Sequence, residues 1–263
     1  IPSSTLDLEW VHGYRAQDAR NNLRYTSDGD IVYSAAGVGI VYDKKSHTQK
    51  HHVEHTDDII CLAVSPDGKK VATGQMGKRP SVLVWDAGGC TTLACLKGFH
   101  KRGISLVTFS DDGSLIASVG QDDNHSVAIY NWAQERKVAS SKGDKNKTLD
   151  IKFTPSGDQL VTCGVKHVKF WTISGRNMKC KKGIFGKKAK IQAIMCIGFA
   201  KGKTVTGTAS GDLYVWEGRK VERIVSDAHS KAVNALFSCP AGLASGGKDG
   251  SVLLWDRTGK VRA

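Results

Sequence analysis

Apolar runs shorter than ten residues alternate with turns rich in Gly, Asp and Pro along most of the chain. The clearest instance is Leu243-Ala-Ser-Gly-Gly-Lys-Asp-Gly-Ser-Val-Leu-Leu-Trp255-Asp256, an apolar strand, a tight turn and a second strand closing on Trp-Asp. This is a β-hairpin pattern. Earlier halves of the same unit stand at Ile59–Gly74, Ser105–Val119, Leu149–Cys163 and Val233–Ser245. Three of their turns, Pro66-Asp-Gly68, Asp111-Asp-Gly113 and Pro155-Ser-Gly157, carry Gly where a tight hairpin needs positive φ. No run is long enough to cross a membrane as a helix.

Aligned on the aromatic that ends each second strand, the copies fall at Tyr42, Trp85, Tyr130, Trp171, Trp216 and Trp255, with spacings of 43, 45, 41, 45 and 39 residues. That is the period of a four-stranded propeller blade, and it predicts an all-β β-propeller with six recognisable blades. The repeats resemble the WD-repeat family over roughly residues 24–256. In that family a His, a Ser or Thr, an Asp and the Trp join in one hydrogen-bonded network per blade. The resemblance places His229, Ser245, Asp249 and Trp255 in one such network. His100, Ser118, Asp122 and Tyr130 make a second, imperfect set, and His55, Thr73 and Trp85 a third that lacks its Asp. Because the trio recurs with the repeat, it reads as a staple that satisfies buried polar groups and not as a hydrolase triad.

The composition fits that reading: 29 Gly, 5 Pro and many strand formers in 263 residues. Net charge is +13, but its placement matters more than its sum. Between Gln159 and Gly211 there are eleven Lys or Arg and no Asp or Glu, so the rest of the chain is nearly balanced at 27 against 25. Arg176, Lys179, Lys181, Lys182, Lys187, Lys188 and Lys190 cluster there, around Gly183-Ile-Phe-Gly186. By the repeat count this is an outer strand and a connecting loop, with Ile184 and Phe185 packed into the blade. Such a block is an electrostatic footprint for an anionic partner. The seven cysteines show no CxxC pair and no His at zinc-ligand spacing. Cys61, Cys163, Cys196 and Cys239 lie in apolar runs and are expected as small buried hydrophobes of a reducing compartment. Ile1-Pro-Ser-Ser shows no secretory leader pattern.

The first 25 residues do not follow the repeat. Leu6, Leu8 and Trp10 alternate with Asp7 and Glu9, which predicts a half-buried strand, and Gly13 permits a bend. Ser3, Ser4, Leu6, Leu8, Glu9, Trp10, Val11, Gly13, Tyr14, Arg15, Arg20, Asn21, Asn22, Leu23 and Tyr25 closely resemble the hydrophobic (HELP) motif that opens the propeller region of the echinoderm microtubule-associated protein-like (EMAP-like) family. Ala72-Thr-Gly-Gln-Met-Gly-Lys, Cys163-Gly-Val-Lys-His-Val-Lys-Phe-Trp, Gly183-Ile-Phe-Gly-Lys and Gly211-Asp-Leu-Tyr-Val-Trp are similar to it as well. His12 and Tyr130-Asn131 depart from its pattern. The resemblance implies two regions: 1–25, packing on or completing the propeller, and 26–263, blades of a seven-bladed propeller that is truncated here and belongs to a longer, tandem-propeller protein. Arg257-Thr-Gly-Lys-Val-Arg262 reads as the turn and opening of a further strand.

The chemistry expected of such a chain is binding, not catalysis. Gly37-Val-Gly39 lacks the third Gly and the helix of a phosphate loop. His51 and His52 face opposite ways on a strand, so no metal site is expected, and no cofactor either. The resemblance implies a non-enzymatic cytoskeletal module of the cytoplasm that binds tubulin or microtubules, with the basic block as its contact. The alternative is a general protein-interaction scaffold. Nucleic-acid binding through the same patch is less favoured, because no aromatics interleave with its basic residues; no membrane partner is expected.

Overall fold

The computed structural model describes residues 6–15, 17–187, 189–239 and 242–256. All regular structure among them is strand. Lys188, Ser3, Ser4 and the expected strand opening after Asp256 lie outside the described residues. By internal contacts the chain divides into two compact units. The first holds the described residues within Ile1–Phe109, Gly113–Asp122 and Tyr130–Arg136; the second holds those within Ser110–Asp112, Asp123–Ile129 and Lys137–Ala263.

In the first unit, β1 (Arg24–Tyr25), β2 (Ile31–Ala35), β3 (Val38–Asp43) and β4 (Thr48–His52) form one antiparallel sheet in chain order. A second sheet follows in the same order: β5 (Ile59–Val64), β6 (Lys70–Gln75), β7 (Val82–Asp86) and β8 (Thr92–Leu96). β9 (Ile104–Phe109) and β10 (Leu115–Gly120) pair antiparallel. β11 (Val127–Asn131) and β12 (Arg136–Ser141) contribute residues to both units.

The second unit contains the sheet of β13 (Thr148–Phe153), β14 (Gln159–Gly164), β15 (His167–Ser174) and β16 (Asn177–Lys182), again in chain order. It also contains the sheet of β17 (Ile194–Ala200), β18 (Lys203–Thr208), β19 (Leu213–Glu217) and β20 (Lys220–Val225). The last sheet has three strands, β21 (Val233–Cys239), β22 (Gly242–Gly247) and β23 (Val252–Trp255).

In the repeats that have four strands, the third strand is more buried than the fourth. β6 and β7 are almost wholly buried, whereas β16 exposes every residue except Met178. The repeat-ending aromatics sit where neighbouring sheets of a unit pack face to face. Trp85 joins Val32, Val41, Leu62 and Val71 in one core, and Trp216 joins Val161, Phe170, Ile194 and Ile197 in another. A buried aromatic of this size removes about 150–250 Å² from water, so one per repeat anchors the stack. The hairpin turns follow the sequence reading: Gly68, Gly113 and Gly157 adopt φ of 70°, 71° and 73°.

The sequence did not reveal a shared irregularity in the first strands. Ile60, Ser105, Leu149, Met195 and Asn234 are each skipped by the register, one at the same place in each repeat after the first, and each is half-buried. The bulge bends the strand and increases its twist.

Two expectations need correction. Residues 6–15 form no strand, and Leu6 and Leu8 are exposed, at 102% and 49%. Their alternation resembles a strand, but no ladder partner takes the segment's backbone. The Gln49 side chain of β4 does so instead: Val11 N–H donates to Gln49 Oε1 at 2.8 Å, and Gln49 Nε2 donates to Val11 O at 3.2 Å and to the Tyr33 hydroxyl at 2.9 Å. Trp10 packs edge-on to Tyr42 and tilted on His47, and Arg15 bridges Asp18 and Asp58. The second correction concerns Cys239, which is half-buried, whereas Cys61, Cys163 and Cys196 are buried. All seven cysteines are free thiols.

Candidate binding surface

The staple residues come together as chains of hydrogen bonds. Ser245 Oγ lies 2.8 Å from His229 Nε2 and accepts from Trp255 Nε1 at 2.8 Å. His229 Nδ1 faces Asp249 Oδ1 at 3.2 Å. Asp249 in turn accepts from the Ser230 and Ser251 amides and the Ser251 hydroxyl. These donors, the Ser251 hydroxyl first, hold its carboxyl well below the usual range. His100 Nε2 lies 2.6 Å from Ser118 Oγ, and the Tyr130 hydroxyl bonds to the same Ser118; burial pushes that phenol up to about 12. Gly120 sits so close to both His100 Nδ1 and Asp122 Oδ2 that a Cβ there would lie 2.5 Å and 2.7 Å from them.

The third set is complete in a way the sequence concealed. Gln75 takes the place of the missing Asp, with its Oε1 2.8 Å from His55 Nδ1. His55 Nε2 lies 2.7 Å from Thr73 Oγ1, which accepts from Trp85 Nε1 at 3.0 Å. In the fourth and fifth repeats the indole bond alone persists: Trp171 donates to Thr162 and Trp216 to Thr206, each at 2.9 Å. On β4, His51 turns toward Gln49, while His52 stacks on Trp85 at 4.9 Å.

The basic block divides into neutralised and free charges. Lys169 is buried and pairs with Asp144 at 2.9 Å. Burial pushes the Asp144 carboxyl up, but the Asn146 amide and Lys169 outweigh it and hold the group below its ordinary value. Lys203 bridges Glu217 and Glu222 at 2.8 and 2.6 Å. By contrast Arg176, Lys179, Lys181, Lys182, Lys187 and Lys190 are exposed, and no carboxylate pairs with them among the described residues. Arg176 stands in the turn from β15, and the lysines stand on β16 and the loop after it. β16 pairs with β15 on one side, but on the other with β12 only through Ser140↔Asn177. Its lysines also blunt a bare sheet edge.

The loop is pinned by Gly183-Ile-Phe-Gly186. Ile184 N–H donates to Arg219 O at 2.7 Å, and Ile184 O accepts from Val221 N–H at 3.0 Å. Phe185 meets Trp216 edge-on at 5.2 Å and packs on the core of the blade. Gly183 passes so near Trp216 that a Cβ would lie 2.8 Å from its ring. This latch sets the exposed Arg219 and Lys220 beside the basic loop, a neighbourhood that spacing along the chain does not show. A hollow of about 610 Å³ opens beside Lys182 and Phe185 and is lined also by Lys145, Lys166 and His167. Burial keeps His167 below its ordinary pKa.

Comparisons with known proteins agree on the family. A family model described as the first β-propeller of echinoderm microtubule-associated protein matches residues 48–262, and the HELP motif model matches residues 1–40. The chain is similar to echinoderm microtubule-associated protein-like 2 of Rattus norvegicus, at 38% identity over 97% of this chain and 42% of the relative. It is similar to like-1 of Homo sapiens at 35%, over 97% of this chain and 33% of the relative. It is similar to like-4 of Mus musculus at 34%, over 97% and 29%. The chain thus spans less than half the length of these relatives. Among solved structures it resembles the computationally designed Ika8 protein, with a TM-score of 0.72 at 22% identity over 94% of this chain and 74% of that one. That likeness concerns the fold alone.

Proposed function

We propose that this chain, which belongs to the echinoderm microtubule-associated protein-like family, is a non-enzymatic propeller module that binds tubulin or microtubules in the cytoplasm through its basic face. The observation that carries the reading is the set of six exposed cations, without ion pairs among the described residues, in the turn before β16, on β16 and in the loop latched after it. A rigid sheet edge presents them, and neighbouring carboxylates are already engaged by Lys169 and Lys203. An acidic, flexible protein surface meets such a strip by screened attraction, which weakens as salt shortens the Debye length to about 8 Å at physiological ionic strength. The relatives' printed names associate them with microtubules, and seven free thiols suit a reducing cytoplasm.

The test is co-sedimentation with microtubules as salt is raised, comparing the chain with a variant carrying Glu at Arg176, Lys179, Lys181, Lys182, Lys187 and Lys190. We expect binding to be lost while the circular dichroism of the sheets is kept. Binding by the reversed variant equal to that of the parent would refute the assignment of this face and favour a scaffold that uses other surfaces.

A further inference from the structure

The first unit holds a second concentration of positive charge. Met76 and Gly103 form an isolated antiparallel bridge, and Gly77 N–H donates to Arg102 O at 3.1 Å. These bonds hold the β6–β7 loop against the β8–β9 connection. They bring Lys78 and Arg79, from one, beside Lys97, Phe99, Lys101 and Arg102, from the other, around an open hollow of about 710 Å³. Among the described residues no carboxylate lines this hollow. Asp57 lies behind Gly77, where its Oδ1 accepts from the Asp58 amide. Lys78, Arg79, Lys97 and Lys101 are exposed, and no ion pair engages them among the described residues. Gathering like charges in a concave site works against the fold unless a counter-charge offsets it, and concavity focuses the field on an incoming anion.

We propose that this hollow is a second binding site, for a carboxylate-rich peptide segment. The hollow lies within the size range that accommodates ligand groups. Lysine ammoniums on aliphatic stems suit a row of separate carboxylates, each met as a point charge. A nucleic acid fits less well, because base stacking needs an open aromatic face. The one aromatic ring here besides His100, Phe99, is half-buried and edge-on to that histidine at 4.9 Å. The site stands apart from the strip on β16 and is tested without it.

The experiment titrates a fluorescently labelled polyglutamate peptide into the full chain at about 50 mM salt, where screening is weak. A variant with Ala at Lys78, Arg79, Lys97 and Lys101 is compared with one losing the same charge elsewhere, with Ala at Lys45, Lys69, Lys142 and Lys231. We expect affinity to fall about tenfold in the first and less than about threefold in the second. Equal losses would show that net charge alone attracts the peptide and would overturn the site. In the unmutated chain, bound peptide should protect Lys78, Lys97 and Lys101 from chemical acetylation, so the idea survives or fails even if the variant does not fold. Full acetylation in the presence of saturating peptide would overturn it. So would a short DNA duplex that binds more tightly than the peptide and loses its binding in the site variant.

Discussion

Replacing Thr73 by valine tests whether the polar staples stabilise the sheets or merely occupy them. The swap keeps the volume at a position that is 1% exposed and removes only the hydroxyl. That hydroxyl has two close partners and a longer contact to Leu83 O at 3.4 Å. It accepts from the indole of Trp85, which is fully buried, and it reaches His55 Nε2. Because Gln75 Oε1 is an acceptor, His55 Nδ1 carries the proton that donates to it, so Thr73 donates to the Nε2 lone pair. The Thr73→Val change would leave one buried donor and one buried acceptor unpaired. At roughly 1–3 kcal/mol for each, the expected loss is about 2–6 kcal/mol. Urea unfolding followed by tryptophan fluorescence reads the total, and hydrogen exchange at β5–β8 shows whether the loss is local. Thr73→Ser, which keeps the hydroxyl, should cost only about 1 kcal/mol for the lost methyl. A Thr73→Val variant within about 1 kcal/mol of the parent would refute the argument that these bonds matter energetically.

Three further outcomes are expected. Gly183→Ala should strain the latch by about 1–3 kcal/mol through overpacking against Trp216, visible as altered Trp emission, and should free the loop to proteases. Gln49→Ala should release residues 6–15, which limited proteolysis would then remove faster than in the parent, while the sheets unfold at nearly the same denaturant concentration. Burial lowers the pKa of His55 from 6.5 to about 4, so the unfolded chain binds the proton more readily. Its contribution to stability is therefore full above about pH 6.5 and is lost progressively as pH falls toward 4, and His55→Gln should flatten that part of a stability profile.

The repeat was legible because its signals are local. An aromatic at the end of the third strand and a Gly in the turn each answer to nearby backbone geometry, so spacing alone revealed six meanders. The β16 strip was legible because an acid-free stretch is visible along the chain. The hollow around Lys97 was not, since its cations come from two segments joined by the Met76↔Gly103 bridge, and residues elsewhere balance them in any linear count. Gln75 escaped notice because it reaches His55 from β6, not from the hairpin turn where an Asp was sought. The opening segment misled for a related reason. Alternation at Leu6, Leu8 and Trp10 describes side chains, whereas a strand is made by backbone partners, and here side chains supply them, Asn22 at Arg15 and Gln49 at Val11.

The Gln49 side chain sets unlike rules for the two stretches it joins. Gln49 grips residue 11 by its peptide N–H and C=O, groups common to every amino acid but proline. This one pair of bonds is therefore indifferent to the side chain at residue 11, whereas Trp10 on Tyr42 and His47 and Arg15 on Asp18 and Asp58 hold the segment by their identity. The holder has no such liberty: a glutamate would keep the acceptor and forfeit the donor needed by both Val11 O and the Tyr33 hydroxyl. Among descendants of this sequence, the side chain at residue 11 should therefore vary more freely than Gln49, which ties it.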